Sequence, residues 1–241
     1  MSSTATLAAI TVPVDEIPGL LIPAFRDTVT MVGIVMVIVA VVGVPLGGVI
    51  HNLAPGGLFE NRALHTPLSW IISIGRSLPF LVLMTSIIPF TRLITGTNIG
   101  IPAAVVPMSI AGIAFFTRIV ENSLRSVPAS VIDVARASGG STTQIVITAQ
   151  LREALPSLIG GLTINTIAMI EYSAIAGTIG AGGLGYIAVT YGYQRFDHQV
   201  MIATIITLVI TVALIQIVGD ALVRYLTPEQ SVRSTRTKAR A

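Results

Sequence analysis

Thr28–Ile50 is a run of 23 residues without one charged side chain. A helix crosses the hydrocarbon core of a bilayer with about 20 apolar residues. Four further runs meet the same requirement. Leu68–Phe90 carries one charge, Arg76, and Ile99–Thr117 carries none. Leu155–Gly180 carries one, Glu171, and Val200–Gly219 carries none. Only 10% of the chain is charged, against about 25% in soluble domains. A water-soluble globule is therefore excluded. The pattern predicts an all-α, polytopic helical bundle with five spans, and an odd number puts the two ends of the chain on opposite sides. Pro45, Pro79, Pro89 and Pro107 lie within or at the ends of these runs and predict kinks.

Arginine and lysine set the orientation. Arg62, the stretch with Arg118, Arg125, Arg136 and Arg152, and the C-terminal region from Arg224 fall on one side and hold ten cations. The other side holds three: Arg26, Arg92 and Arg195. The first side is expected to be cytoplasmic, with the N-terminus outside and the C-terminus inside a cytoplasmic (inner) membrane. The chain divides into an extracytoplasmic tail (1–25), a membrane domain (26–226) and a basic cytoplasmic tail (227–241). Pro13, Pro18 and Pro23 argue against a continuous helix before residue 24, and the first 25 residues read as a retained tail rather than a signal peptide. The basic tail suits a solubilising end, with anionic lipid as a possible contact. There is no cysteine, and His51, His65 and His198 show no ligand spacing, so no metal site is expected.

The stretch 118–157 is too polar to span and too patterned for a plain linker. Pro128 suits a first helical turn, and Val131, Val134, Ala135 and Ser138 recur at helical spacing. Gly139-Gly140 supplies a left-handed stop. Ser141-Thr-Thr-Gln144 has the form of a capping box that starts a second helix running towards Pro156. The product is a helix–turn–helix on the cytoplasmic face, with apolar stripes that need a partner surface. An amphipathic loop resting on lipid headgroups is the alternative.

This stretch resembles the EAA loop of ATP-binding-cassette importer permeases. Asp133-Val134-Ala135 stands for Glu-Ala-Ala, and Gly139 holds the glycine position. Val134 for alanine and Arg152 for the later proline depart from the pattern. The segments RSLPFLVLMTSIIPFTRLITGTNIG (76–100), RIVENSLRSVP (118–128), EALPSLIGGLTI (153–164) and YSAIAGTIGAGGLGYIAVTYGY (172–193) are similar to the permease subunits of methionine ABC importers, binding-protein-dependent inner-membrane components. The likeness runs from about residue 26 to 226. It implies a type I ABC importer permease fold and a homodimer forming the translocation pathway. It also implies two ATP-binding subunits below and an extracytoplasmic substrate-binding protein above. The loop at about 121–156 would couple to the ATPase through Asp133, Val134, Ala135, Arg136, Gly139 and Gly140. The chain has no Walker-type motif and one lysine, Lys238. It is not expected to be an enzyme or to bind a cofactor; ATP and Mg belong on the partner ATPase. No nucleic-acid partner is expected.

Gly180, Gly182 and Gly185 fit the dinucleotide spacing G-x-G-x-x-G. That fingerprint needs a preceding strand and an acid about 20 residues on. Here a membrane helix precedes it and position 205 is Ile. With Gly183, these glycines read instead as a turn allowing close backbone approach at the dimer axis or outer pore mouth. Glu171, beside Tyr172 and Ser173, is expected to face the bundle or pore, either as a gate or as a structural hydrogen-bond partner. Arg76 is expected to snorkel or to pair with an acid at the dimer interface. Two rival functions remain: an importer of another small amino acid, and a proton-coupled secondary transporter using Glu171. A non-transporting membrane scaffold is a weaker third.

Overall fold

The computed structural model describes residues 12–227. Residues 1–11 and the basic stretch 228–241 lie outside the described residues, and so do the expectations made for them. Among the described residues the secondary structure is helical: α1 (Ile17–Leu53), α2 (Arg62–Ser77), α3 (Phe80–Ser86), α4 (Ile88–Thr95), α5 (Ile101–Arg125), α6 (Ala129–Ala137), α7 (Thr142–Ala181, kinked at Ile179 and Gly180), α8 (Gly183–Ile187) with a π-wound segment after it (Ala188–Gln194), and α9 (His198–Leu226). α1, α5, α7 and α9 are each long and apolar enough to cross a membrane, and the bent pair α2–α3 makes a fifth crossing if it counts as one span.

The helices outrun the apolar runs that announce them. α1 begins at Ile17 and passes through Pro23, so residues 17–25 are not a tail. Pro18 sits in the first turn, where its missing N–H costs nothing. Pro23 forfeits only one interior bond, which the surrounding helix tolerates. Ile17 and Ala24 are buried in a small cluster with Leu184, Ile187 and Val200. α7 likewise does not stop near Pro156. It runs from the capping box through a π-wound turn, Ile145–Gln150, into the fourth span. The second helix of the polar loop and the fourth span are therefore one rod.

The second span departs most from expectation. Leu78 and Pro79 are extended, with ψ of 129° and 135°, because a residue before proline is pushed out of the helical region. α2 and α3 are bent 104° apart there. Ile87 then interrupts the chain before Pro89 opens α4. The single run Leu68–Phe90 is thus three short helices. Pro45 and Pro107, by contrast, sit inside continuous α1 and α5.

α1 packs most extensively on α5, and α5 on α7. Lipid tails are as apolar as leucine, so helices in a bilayer gain little from burial itself and rely on close packing. Small residues permit it. A Cβ on Gly112 would stand 2.7 Å from Val39 and 3.1 Å from the Met169 sulfur. Met31, Val35, Val39, Met108, Val120 and Met169 are fully buried between these helices. α9 is the outermost long helix; only Val200, Thr204 and Gly219 are buried along it.

The two ends of the bundle are distinct. At one end the Gly100 N–H donates to the Gly180 carbonyl at 2.9 Å, and the Leu184 N–H donates to Thr28 Oγ1 at 2.9 Å. There too the Asp197 carboxylate accepts from Val12, Gln199 and Val200 N–H groups, capping α9 and tying down the chain before α1. At the opposite end lie the Asn52–Gln150 pair, α6 and the connection from α1 to α2.

Candidate functional site

α6 forms as its sequence dictates. Pro128 precedes it, and Gly139 takes φ +77° just beyond it, where a side chain would be strained. The Gly139 N–H donates to the Arg136 carbonyl and the Gly140 N–H to the Ala135 carbonyl. Ser141 Oγ then accepts from the Gln144 N–H at 3.4 Å, while Gln144 Oε1 accepts from the Ser141 N–H at 2.9 Å. The capping box is complete. No residue of α6 is buried. These nine residues thus lie on the surface of the chain, between Pro128 and the Gly139-Gly140 turn.

The two long faces of α6 differ. Ala129, Ile132, Asp133 and Arg136, at helical spacing, line a cavity of about 540 Å³. Across it stand His51, His65 and the loop at Gly56–Leu58. That loop is held by Glu60, which accepts from the Gly56 N–H at 2.9 Å and pairs with Arg62 at 3.2 Å. The Gly56 hydrogen bond, then Arg62, holds the Glu60 carboxyl below its ordinary pKa. Val134 lies off the cavity-lining face and is 67% exposed. Asp133 and Arg136 line this cavity and are both exposed, as is Val134 on the other face.

Two polar clusters beneath α6 are absent from the sequence reading. Glu121 is 2% exposed and is gripped by Arg118 and Arg125, the latter at 2.7 Å. These residues close the last turns of α5, and their three- and four-residue spacing was visible. Asn52 and Gln150 exchange two hydrogen bonds at 2.9 and 3.1 Å, both buried, joining α1 to the π-wound turn of α7. Ninety-eight residues separate them, and no local pattern announces such a pair. Ser123 and Ser157 add a hydroxyl contact of 2.8 Å between α5 and α7.

The remaining candidates lie along α7 and beyond. Glu171 is exposed in the single chain, Tyr172 is half-buried and Ser173 is buried. Ser157, Ile164, Glu171 and Thr178 are all exposed and seven residues apart, which makes one seam along the helix. The glycines do form a tight turn, with Gly180, Gly182 and Gly183 at φ +95°, +83° and +79°. The close approach they allow is within the chain. Gly185 lies directly against the Ala174 backbone, and Gly183 faces Thr28 of α1. Arg76 is exposed, forms no ion pair among the described residues, and stands 5.9 Å over the Phe115 ring. Glu171, Arg76 and α6 are therefore three separate places and not one cluster. Among the described residues no group of acids and histidines could hold a metal ion.

The family profile described as binding-protein-dependent transport system inner membrane component matches residues 43–232. A probable D-methionine transport system permease protein, MetI, from Vibrio cholerae is 43% identical over 205 residues, covering 85% of this chain and 91% of that one. The methionine import system permease protein MetP from Bacillus subtilis is 36% identical over 165 residues, covering 68% and 74%. A chain of the MetNI methionine ABC transporter, solved in inward-facing conformations, superposes with a TM-score of 0.87 at 39% identity, over 90% of this chain and all of that one. The relatives are transport permease subunits and not enzymes. The chain belongs to the binding-protein-dependent transport system inner membrane components, as a helical permease of the ABC transporter class.

Proposed function

We propose that this chain is the membrane subunit of an ATP-driven methionine importer, acting as a homodimer. Two ATP-binding subunits sit beneath it and a substrate-binding protein delivers from outside. The observation that carries this reading is α6: a short helix set between Pro128 and the turn at Gly139, with no buried residue. A solvent-facing helix of this kind suits a docking element for a partner. Its exposed Val134 face suits a cleft on an ATPase, and closure of the ATPase pair would push α6 as one body. Because α7 continues from the capping box through Gln150 into an apolar span, the push has only the turn at 138–141 to cross. Rocking of the two protomers then exposes the pathway to alternate sides.

Among the described residues, the excess of arginine at the α6 end, six (Arg62, Arg118, Arg125, Arg136, Arg152 and Arg224) against three (Arg26, Arg92 and Arg195), supports a cytoplasmic position for that end. The N-terminus is then outside and the C-terminus inside. Glu171 supports the dimer. A charge facing acyl chains at mid-span costs about 2.5–3.5 kcal/mol, so its exposed seam belongs against a second copy or a water-filled pathway. The methionine permeases similar to this chain along most of their length support the substrate.

The test is uptake of labelled methionine into vesicles holding this chain, its ATPase and its binding protein. Uptake that requires ATP is expected. Uptake driven by a proton gradient with the ATPase left out would replace this reading with a secondary transporter.

A further inference from the structure

Arg76 and Glu171 are the two charges that the apolar runs carry, and they have opposite sign. Both are exposed on the single chain. Their depths in the bundle follow from contacts with α5. A Cβ on Gly75 would stand 3.2 Å from the Ala114 side chain, and one on Gly112 would stand 3.1 Å from the Met169 sulfur. Ala114 lies two residues inward of Gly112 on α5, and Glu171 lies two residues outward of Met169 on α7. At about 1.5 Å per residue, Gly75 and Glu171 are about 6 Å apart in depth. The combined reach of an arginine and a glutamate side chain spans that difference.

The backbone beside Arg76 gives an independent reason to place this surface away from lipid. α2 ends at Ser77, and Leu78 and Pro79 follow it extended and exposed. The last carbonyls of α2 therefore have no helical N–H partners. Such backbone at membrane depth is tolerated only against protein or a water-filled cavity. The stack of Phe80 on Tyr172 sets the break beside the neighbour of Glu171, so the break and both charges border one face.

We propose that in the homodimer Glu171 forms an ion pair with Arg76 of the partner subunit, so that two such pairs join the protomers at membrane depth. The proposal rests on the homodimer reading above. A two-fold axis repeats every contact: where residue i meets j, j meets i. Glu171 against its own copy would set carboxylate against carboxylate. Arg76 against its own copy would set cation against cation. The crossed arrangement neutralises all four charges. Phe115, 5.9 Å beneath the Arg76 guanidinium, steadies that group through its ring face and leaves its charge to be met. The two pairs hold the protomers against each other beside the pathway that their rocking opens and closes.

The chain has no cysteine, so introduced thiols report on their own positions alone. Two differently tagged copies of the full chain, one Arg76→Cys and one Glu171→Cys, are produced together with the ATPase subunit. In membranes they are treated with a bifunctional thiol reagent as long as the two side chains removed. Each copy carries one thiol, so no link can form within a chain. A linked product carrying both tags is expected, about tenfold more abundant than links between two Arg76→Cys or two Glu171→Cys copies. Arg76→Gln and Glu171→Gln should each weaken the dimer about tenfold in detergent, the effect of one lost hydrogen bond to a charged group. Arg76→Glu combined with Glu171→Arg should recover most of that loss. Native mass spectrometry of the unsubstituted complex counts its copies of the chain. Two copies with no mixed link, with Glu171→Cys linking its own kind better, or with a charge swap no better than the single variants, overturn the pairing. A single copy overturns the homodimer instead.

Discussion

The Phe80 ring lies face to face on the Tyr172 ring, with centroids 4.3 Å apart and planes 2° from parallel. Phe80 opens α3 directly after the break at Pro79, and Tyr172 lies next to Glu171 on α7. The stack therefore fastens the broken second span to the helix that carries the mid-membrane charge. In a bilayer it holds by contact and not by exclusion of water. Phe80→Leu keeps much of the volume but loses the stack, and should cost about 0.5–1.5 kcal/mol. Tyr172→Phe keeps the ring and should change stability little. Thermal unfolding of both variants in one detergent distinguishes them; equal losses would show that the phenol hydroxyl matters and the stack does not.

Asn52 and Gln150 form a closed amide pair, and Asn52 also donates to the Gly48 carbonyl at 2.9 Å. Replacing one partner strands the other. Asn52→Leu should destabilise by about 1–3 kcal/mol, the cost of a buried group left without a partner. Asn52→Leu with Gln150→Leu should recover much of that loss. A double-mutant cycle on unfolding free energy measures the coupling, and strictly additive losses would mean the two amides are independent.

Glu121 holds two arginines at the end of α5. Glu121→Gln removes the charge from a side chain that is 2% exposed and leaves Arg118 and Arg125 to repel each other. A charged hydrogen bond contributes about 1.5–3 kcal/mol. Arg125 is 64% exposed and partly screened by solvent, so the lower end is expected. Unfolding at low and high salt checks this: the loss should shrink as salt screens the arginine pair.

Much of the fold can be read from charge-free runs, because the bilayer imposes length and apolarity on anything that crosses it. The α6 stop at Gly139 and the box at Ser141–Gln144 were equally legible, since caps are local chemistry. What was hidden depends on partners distant in the chain. Pro79 breaks its span while Pro45 and Pro107 do not. The pre-proline effect applies at all three; what sets Pro79 apart is that the break is followed by the docking of Phe80 on Tyr172, a contact 92 residues away in the chain. The glycines at 180–185 were legible as a turn, but not that Gly185 would pack on Ala174.

The glycine turn yields a contrast within one residue type. A Cβ on Gly185 would collide with the Ala174 backbone, which cannot yield as a flexible side chain can. A Cβ on Gly33, within α1, would meet nothing within 4 Å. Gly185→Ala should therefore open the return of the chain at 177–187 and lower the yield of folded protein. Gly33→Ala should be neutral or slightly stabilising, since alanine is favoured over glycine in helices by about 1 kcal/mol. Size-exclusion profiles of the two variants give the comparison, and matching profiles would mean the turn is not tightly packed.

Gly139 offers the most direct check on force transmission. Its φ of +77° is closed to proline, whose ring fixes φ near −65°. Gly139→Pro must therefore rebuild the link between α6 and the capping box at Ser141. Neither α6 nor α7 depends on Gly139 for its own packing, because a Cβ there would meet nothing within 4 Å. The spans should remain folded while α6 loses its fixed angle to α7. ATP hydrolysis by the assembled importer should then continue while methionine uptake per ATP falls several-fold. Measuring both rates on the same vesicles separates this from a simple loss of assembly, which lowers them together. An unchanged ratio would mean that force reaches the spans by a route other than the rigid joint at 138–141.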